Sequence, residues 1–320
     1  MSPPPDGPRK GLSGFWLVGT TVVIYAASVL AGTSLIVGIF LPLLLTLIAL
    51  QYNLRALAVI LALFLVGVLI VHRTEIQLLT EFGVLVLGLG VLVPFGWGWV
   101  SFPTTLWLAS VVQLAGLAMV ALGAWWLGGS SPGDWVVANF NQSAELFLAR
   151  AREEALAPES QAALNQLIDS LRRMVRETYP VLLFINLAVV NLINLQFLQP
   201  VLVTMQPGRA LYLFPRGWRL PSRLHWLLLL CGVAFVTGGG AVQVGAINGV
   251  LLLAFLYLLQ GFGLLAHFLG RVRVPVLLRT LLYGILILSF QVYPLLVVAG
   301  VAEGIFDLRH LRRPAAGDGG

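Results

Sequence analysis

Long apolar runs alternate with short polar connectors along this chain, and the length of the runs is the first clue to where it lives. A helix needs about 20 apolar residues to cross a hydrocarbon core, within a range of roughly 17 to 25. By that measure the pattern predicts spans at 15–32, 34–50, 54–71, 76–99 and 103–127. The pattern then changes. Residues 128–179 hold five arginines (Arg150, Arg152, Arg172, Arg173, Arg176) and seven acids (Asp134, Glu145, Glu153, Glu154, Glu159, Asp169, Glu177). Within them Leu164, Leu167, Ile168, Leu171, Met174 and Val175 recur at helical spacing, with Gln166, Asp169, Arg172 and Arg173 on the other side, so an amphipathic helix is expected. A second helical piece over 142–156 precedes it, separated by Pro158.

Pro180 opens a sixth apolar span, to about residue 203. Two further runs, 225–237 and 244–269, contain no lysine, arginine, aspartate or glutamate and hinge at Gly238-Gly239-Gly240. The last apolar region, 281–306, is interrupted by Gln291, Tyr293 and Pro294. The fold class that follows is all-α: a polytopic transmembrane helix bundle of about nine spans, within eight to ten, carrying an amphipathic helical insert. The expected organisation is a polar leader (1–14), a five-helix membrane block (15–127), the insert (128–179), a second membrane block of three or four spans (180–308) and a disordered tail (309–320).

Composition sharpens this picture. Hydrophobic residues make up 59% of the chain and charged residues only 10%, against roughly 25% charged in soluble domains. The net charge of +6 does not point to nucleic acid. Its arginines gather in short connectors, Arg209, Arg216, Arg219 and Arg223 in one and Arg271, Arg273 and Arg279 in another, as cytoplasmic loops do. Counting crossings from a cytoplasmic N-terminus agrees with that charge rule as far as Arg271. It then leaves two choices for the end of the chain: a broken pair of short helices around Pro294, or an external tail bearing Arg309, Arg312 and Arg313. The single cysteine, Cys231, rules out an intrachain disulfide.

Chemistry-bearing motifs are sparse, and no enzymatic activity is expected. The histidines His72, His225, His267 and His310 are dispersed without metal-ligand spacing, so no metal or cofactor is expected. A phosphate-binding glycine loop is absent. Of the ionisable residues near the apolar runs, Arg55, Glu75 and Glu81 fall at span ends. Glu303 is the best candidate for burial, with Asp307 and Arg309 close enough in sequence to pair with it at an interface. Amides are the more telling polar groups. An amide in hydrocarbon needs an internal partner, because no water reaches it. Asn186, Asn191 and Asn194 share one arc of the sixth span, Gln196 and Gln199 fall opposite, and Asn248 and Gln260 lie in the run 244–269. Such groups either join helices or line a solute cavity. Asn186, Asn191, Asn194, Asn248 and Gln260 are therefore the candidate ligand-binding residues. Ala27 and Ala31 give a small-xxx-small spacing suited to helix packing or partner contact.

Several segments together resemble a known group. They are Phe214-Pro215-Arg216-Gly217-Trp218-Arg219-Leu220-Pro221, then Asn248 and Tyr257-Leu258-Leu259-Gln260-Gly261, and finally Gly304-Ile305-Phe306-Asp307-Leu308-Arg309. With the five-helix block and the polar insert, their order looks like the YybS-like family of uncharacterised bacterial membrane proteins. The N-terminal half of that family is similar to the substrate-binding S components of energy-coupling factor transporters. The resemblance implies a multi-pass protein of the bacterial cytoplasmic membrane that binds a small solute or helps its transport. It also implies that Ala27 and Ala31 contact a membrane coupling protein. The alternative is a membrane scaffold that recruits a partner through the amphipathic insert and the arginine-rich loops. The expected surroundings are the lipid bilayer, a solute and a coupling protein, with no nucleic acid.

Overall fold

A computed structural model describes residues 34–52, 55, 57–62, 76–126, 129, 131–153, 158–205, 219–272, 278, 282, 285–286 and 289–309. Ala27, Ala31, Glu75, the loop arginines Arg209 and Arg216 and the tail beyond Arg309 lie outside the described residues. The described chain is helical, with no strand among its residues. In order the helices are α1 (Ser34–Tyr52), α2 (Ile76–Gly96), α3 (Phe102–Trp126), α4 (Pro132–Glu153), α5 (Pro158–Met205), α6 (Arg223–Thr237), α7 (Ala241–Arg271) and α8 (Tyr293–Phe306). A single 3-10 turn, Phe290–Val292, leads into α8.

The chain divides into two compact units, one of residues 1–132 with 186–211 and the other of 133–185 with 212–320. In the first, α1 packs on α2 and α2 on α3. Leu41, Leu45, Ile48 and Ala49 of α1 meet Leu85, Leu89 and Val93 of α2, and Leu92 and Phe95 of α2 meet Leu106 of α3 and Leu195, Leu198 and Leu202 of α5. These positions repeat every three or four residues, which puts them on one face of each helix. The opposite faces are apolar too: Leu108, Val111, Met119 and Leu122 of α3 are exposed. A helix that is apolar all round belongs in lipid. Small residues lie in the contact of α2 with α3, where a methyl group on Gly88 would meet the tip of the Gln113 side chain and one on Gly116 the tip of Leu87. Tryptophans bracket α3, with Trp99 in the turn before it and Trp125 and Trp126 at its end, all exposed. Indoles at both ends of an apolar helix of 25 residues, about 38 Å long, match the aromatic belts of membrane interfaces.

In the second unit, α6 and α7 form a hairpin through Gly238-Gly239-Gly240. Gly240 adopts φ 54°, a left-handed conformation open to glycine at little cost. Against α7 lies α8, and Pro294 opens that helix rather than breaking it. The polar helices α4 and the first half of α5 pair through Ala144, Leu148 and Ile168, with Arg172 donating to Asn141 at 2.6 Å and Arg176 to Asp134 at 3.1 Å.

Two boundaries differ from the sequence expectation. The first helix of the insert spans 132–153 rather than 142–156. Pro180 does not start a new helix, because α5 runs unbroken for 48 residues from its polar first half into its apolar second half. A proline inside a helix removes one N–H and crowds one carbonyl, a local cost that flanking turns can absorb. Three helices, 102–123, 159–205 and 241–271, are long and apolar enough to cross a bilayer, and four shorter apolar helices accompany them among the described residues.

Candidate functional site

Two polar loci interrupt the apolar interior, one in each unit. The first is the amide-rich second half of α5. Asn191 is buried and donates from Nδ2 to Ser110 Oγ at 3.1 Å and to Gln113 Oε1 at 2.7 Å, both on α3. Asn194, fully buried, accepts the Leu43 N–H of α1 at 2.9 Å through Oδ1 and donates to its own helix at Val190 O. Leu43 directly follows Pro42, which stands inside α1. A proline opens the hydrogen-bond ladder around itself, and Asn194 serves the neighbouring N–H from outside. Asn186 is exposed. The arc of asparagines read from the sequence thus splits into two residues that join α5 to α1 and α3 and one on the surface.

The other flank of α5 behaves differently. Gln199 is 5% exposed, and neither its Nε2 nor its Oε1 has a hydrogen-bond partner among the described residues. The Gln196 Nε2 and the Asn191 Oδ1 are likewise buried without partners among those residues. Other polar side chains of this unit are satisfied: Thr46 bonds to Pro42 O, Thr105 to Ser101 O and Ser110 to Leu106 O.

The second locus forms where α6 and α8 meet α7. Gln260 is fully buried. Its Oε1 accepts the Leu220 N–H at 3.1 Å and its Nε2 donates to Gly300 O at 3.0 Å, so one amide ties the segment before α6 to α8. Glu303 and Arg309 form an ion pair at 2.7 Å with both side chains 0% exposed, and the Arg309 N–H donates to the same carboxylate. Arg219 pairs more loosely with Asp307, at 3.6 Å. His225 sets Nδ1 2.9 Å from Ser222 O and Nε2 3.3 Å from Val301 O, with its ring 5.3 Å from that of Tyr257. The helices touch through glycines: a methyl group on Gly261 would meet Leu296 O, one on Gly300 would meet Tyr257 O, and one on Gly304 would meet His225. Asn248 lies elsewhere on α7, donating to Glu177 O on α5 at 2.7 Å and to Val244 O on its own helix.

Gln260 stands 11 residues before the end of α7 at Arg271, about 16 Å along the axis, so the second locus packs against the body of that helix rather than its end. The three segments singled out from the sequence converge here: Arg219 and Leu220 from one, Tyr257 and Gln260 from the next, Gly304, Asp307 and Arg309 from the last. Glu303 pairs with Arg309 as its sequence neighbourhood allowed, and both side chains are enclosed by protein. His225 carried no metal or catalytic spacing and was legible only as an apolar-run residue. Among the described residues, no group of three or more His, Cys, Asp or Glu side chains converges to hold a metal.

These features define an all-helical protein with bilayer-length apolar helices and interhelical amide bonds, as expected of an integral membrane protein. Residues 19–308 match the model of the predicted membrane protein family DUF2232, and the chain belongs to that family. No curated protein matches the chain, and no solved structure matches it.

Proposed function

We propose that this chain is a non-enzymatic, multi-pass protein of the bacterial cytoplasmic membrane that binds a small solute in its first unit, in the manner of a transporter S component. One observation carries the reading. Six buried side-chain atoms lack a hydrogen-bond partner among the described residues, and four of them belong to Asn191, Gln196 and Gln199 on one helix of this unit. Burying an amide without a partner costs roughly 2 to 7 kcal/mol in an apolar reference, so a concentration of such atoms fits a site completed by a solute. The YybS-like resemblance of the sequence supports the same reading. Mass spectrometry of small molecules released from the purified protein tests it: the parent chain carries a solute and a folded Asn191→Leu variant does not. A variant that keeps every bound molecule removes the reading.

A scaffold role is favoured by one feature of the second unit. Leu146 and Phe147 on α4 and Leu167 and Met174 on α5 are exposed on otherwise polar helices. Photocrosslinking from Leu167 and Met174 distinguishes the two readings. Capture of a second protein supports the scaffold, whereas capture of lipid or of the same chain counts against it.

A further inference from the structure

We infer that the solute contacts the glutamine flank of α5, Gln196 and Gln199, and that it is an uncharged molecule presenting a hydrogen-bond donor beside an acceptor, such as a carboxamide or the lactam edge of a heterocycle. The inference rests on the solute-binding reading and makes it specific. Gln196 and Gln199 are three residues apart, so they lie on neighbouring faces of the helix about 4.5 Å apart along its axis. On the asparagine flank the amides are bonded to α1 and α3. On the glutamine flank the Gln199 Nε2 and Oε1 and the Gln196 Nε2 are buried and unbonded among the described residues. One acceptor and two donor groups are thereby left along one side of a single helix.

The charge of the ligand follows from what else is buried. Among the described residues of the first unit the buried polar side chains are Thr46, Thr105, Ser110, Gln113, Asn191, Asn194 and Gln199, all neutral; the buried ions Glu303 and Arg309 belong to the second unit. An ion brought into such surroundings would meet no buried counter-ion among the described residues, and its desolvation would go uncompensated there. A neutral planar amide satisfies both kinds of free atom, its carbonyl accepting from Nε2 groups and its N–H donating to Oε1.

Equilibrium dialysis of the full-length protein in detergent micelles tests this with benzamide, uracil and benzoate as probes. Benzamide or uracil should be retained, while benzoate, which has the shape of benzamide but carries a charge, should not. Gln199→Leu should weaken retention by about tenfold or more, as the loss of a buried hydrogen bond does. Because Gln199 has no hydrogen-bond partner to lose among the described residues, this variant should fold and melt no lower than the parent, and Gln199→Met supplies a second variant of closer shape. Equal retention of benzoate, no retention of either neutral probe, or unchanged retention by both variants overturns the inference. If Asn191→Leu sheds a co-purified solute that both Gln199 variants keep, the solute reading stands and the glutamine flank falls. If the parent chain carries no solute at all, both fall.

Discussion

Glu303 and Arg309 are charged residues with no exposure, and their pairing geometry decides what a substitution does. Arg309 gives the carboxylate both a side-chain and a backbone N–H, so each group is the other's partner in an enclosed site. Removing one partner strands the other, a loss of roughly 3 to 5 kcal/mol, whereas replacing both by apolar groups is close to neutral. Glu303→Leu should therefore lower the thermal midpoint in detergent far more than the double change Glu303→Leu with Arg309→Met. Single and double variants that melt together would show that the pair is not what holds this end of α8. Glycines supply a second test at this scale. At Gly300 a methyl group meets the Tyr257 carbonyl of α7, backbone that cannot turn aside, while at Gly90 it meets nothing within 4 Å. Gly300→Ala should cost about 1 to 3 kcal/mol by overpacking. Gly90→Ala should instead stabilise by about 0.8 to 1 kcal/mol through helix propensity, and the two melting shifts should have opposite signs. Sequence spacing marked Glu303, Asp307 and Arg309 as potential partners. The sequence also marked Glu303 as the best candidate for burial; that Arg309 is enclosed with it was not legible, because this depends on Gly300 and Gly304 letting α8 approach α7 and the start of α6.

At the scale of helices, α1 and α5 are joined by a backbone defect. Pro42 interrupts the ladder of α1, and the Asn194 side chain, distant in sequence, bonds the adjacent Leu43 N–H. Asn194→Leu should be costly where Pro42 is present and milder where Pro42→Ala restores the helix. A double-mutant cycle measured by denaturation should give a coupling of about 0.5 to 3 kcal/mol, and strict additivity would remove the link. The sequence displayed both residues and placed each in an apolar run. Their meeting could not be read there, since periodicity fixes which face of a helix a residue occupies and not which helix faces it. Pro180 is the converse case. It looked like a boundary and lies inside α5, where flanking turns outweighed the local preference of one residue.

For the whole molecule, the open question from the sequence is which side of the membrane holds the end of the chain. In the second unit Arg219, just before α6, pairs with Asp307, just after α8, and Gln260 bonds both Leu220 N and Gly300 O. These bonds bring the start of α6 and the end of α8 to one place, so the two connectors should open to the same side. In a Cys231→Ala background, Ser222→Cys and Leu308→Cys, both at exposed positions, should react with a membrane-impermeant maleimide from the same side, the cytoplasmic one by the charge rule. Labelling from opposite sides would contradict the arrangement.

The order of apolar and polar residues alone determined that the chain is helical and belongs in lipid. It also located α1, α2, α3, α6 and α7 to within a few residues, because helix length and hydrophobic transfer are local properties summed along the chain. Tertiary structure decided which amides are spent. Asn191, Asn194 and Gln260 resemble Gln196 and Gln199 in sequence, yet the first three bridge helices, Asn191 keeping only its Oδ1 unbonded, while the last two keep unbonded buried atoms without such a bridge among the described residues. A hydrogen bond needs a partner within about 3 Å, and partners 40 to 151 residues away are chosen only when the helices pack.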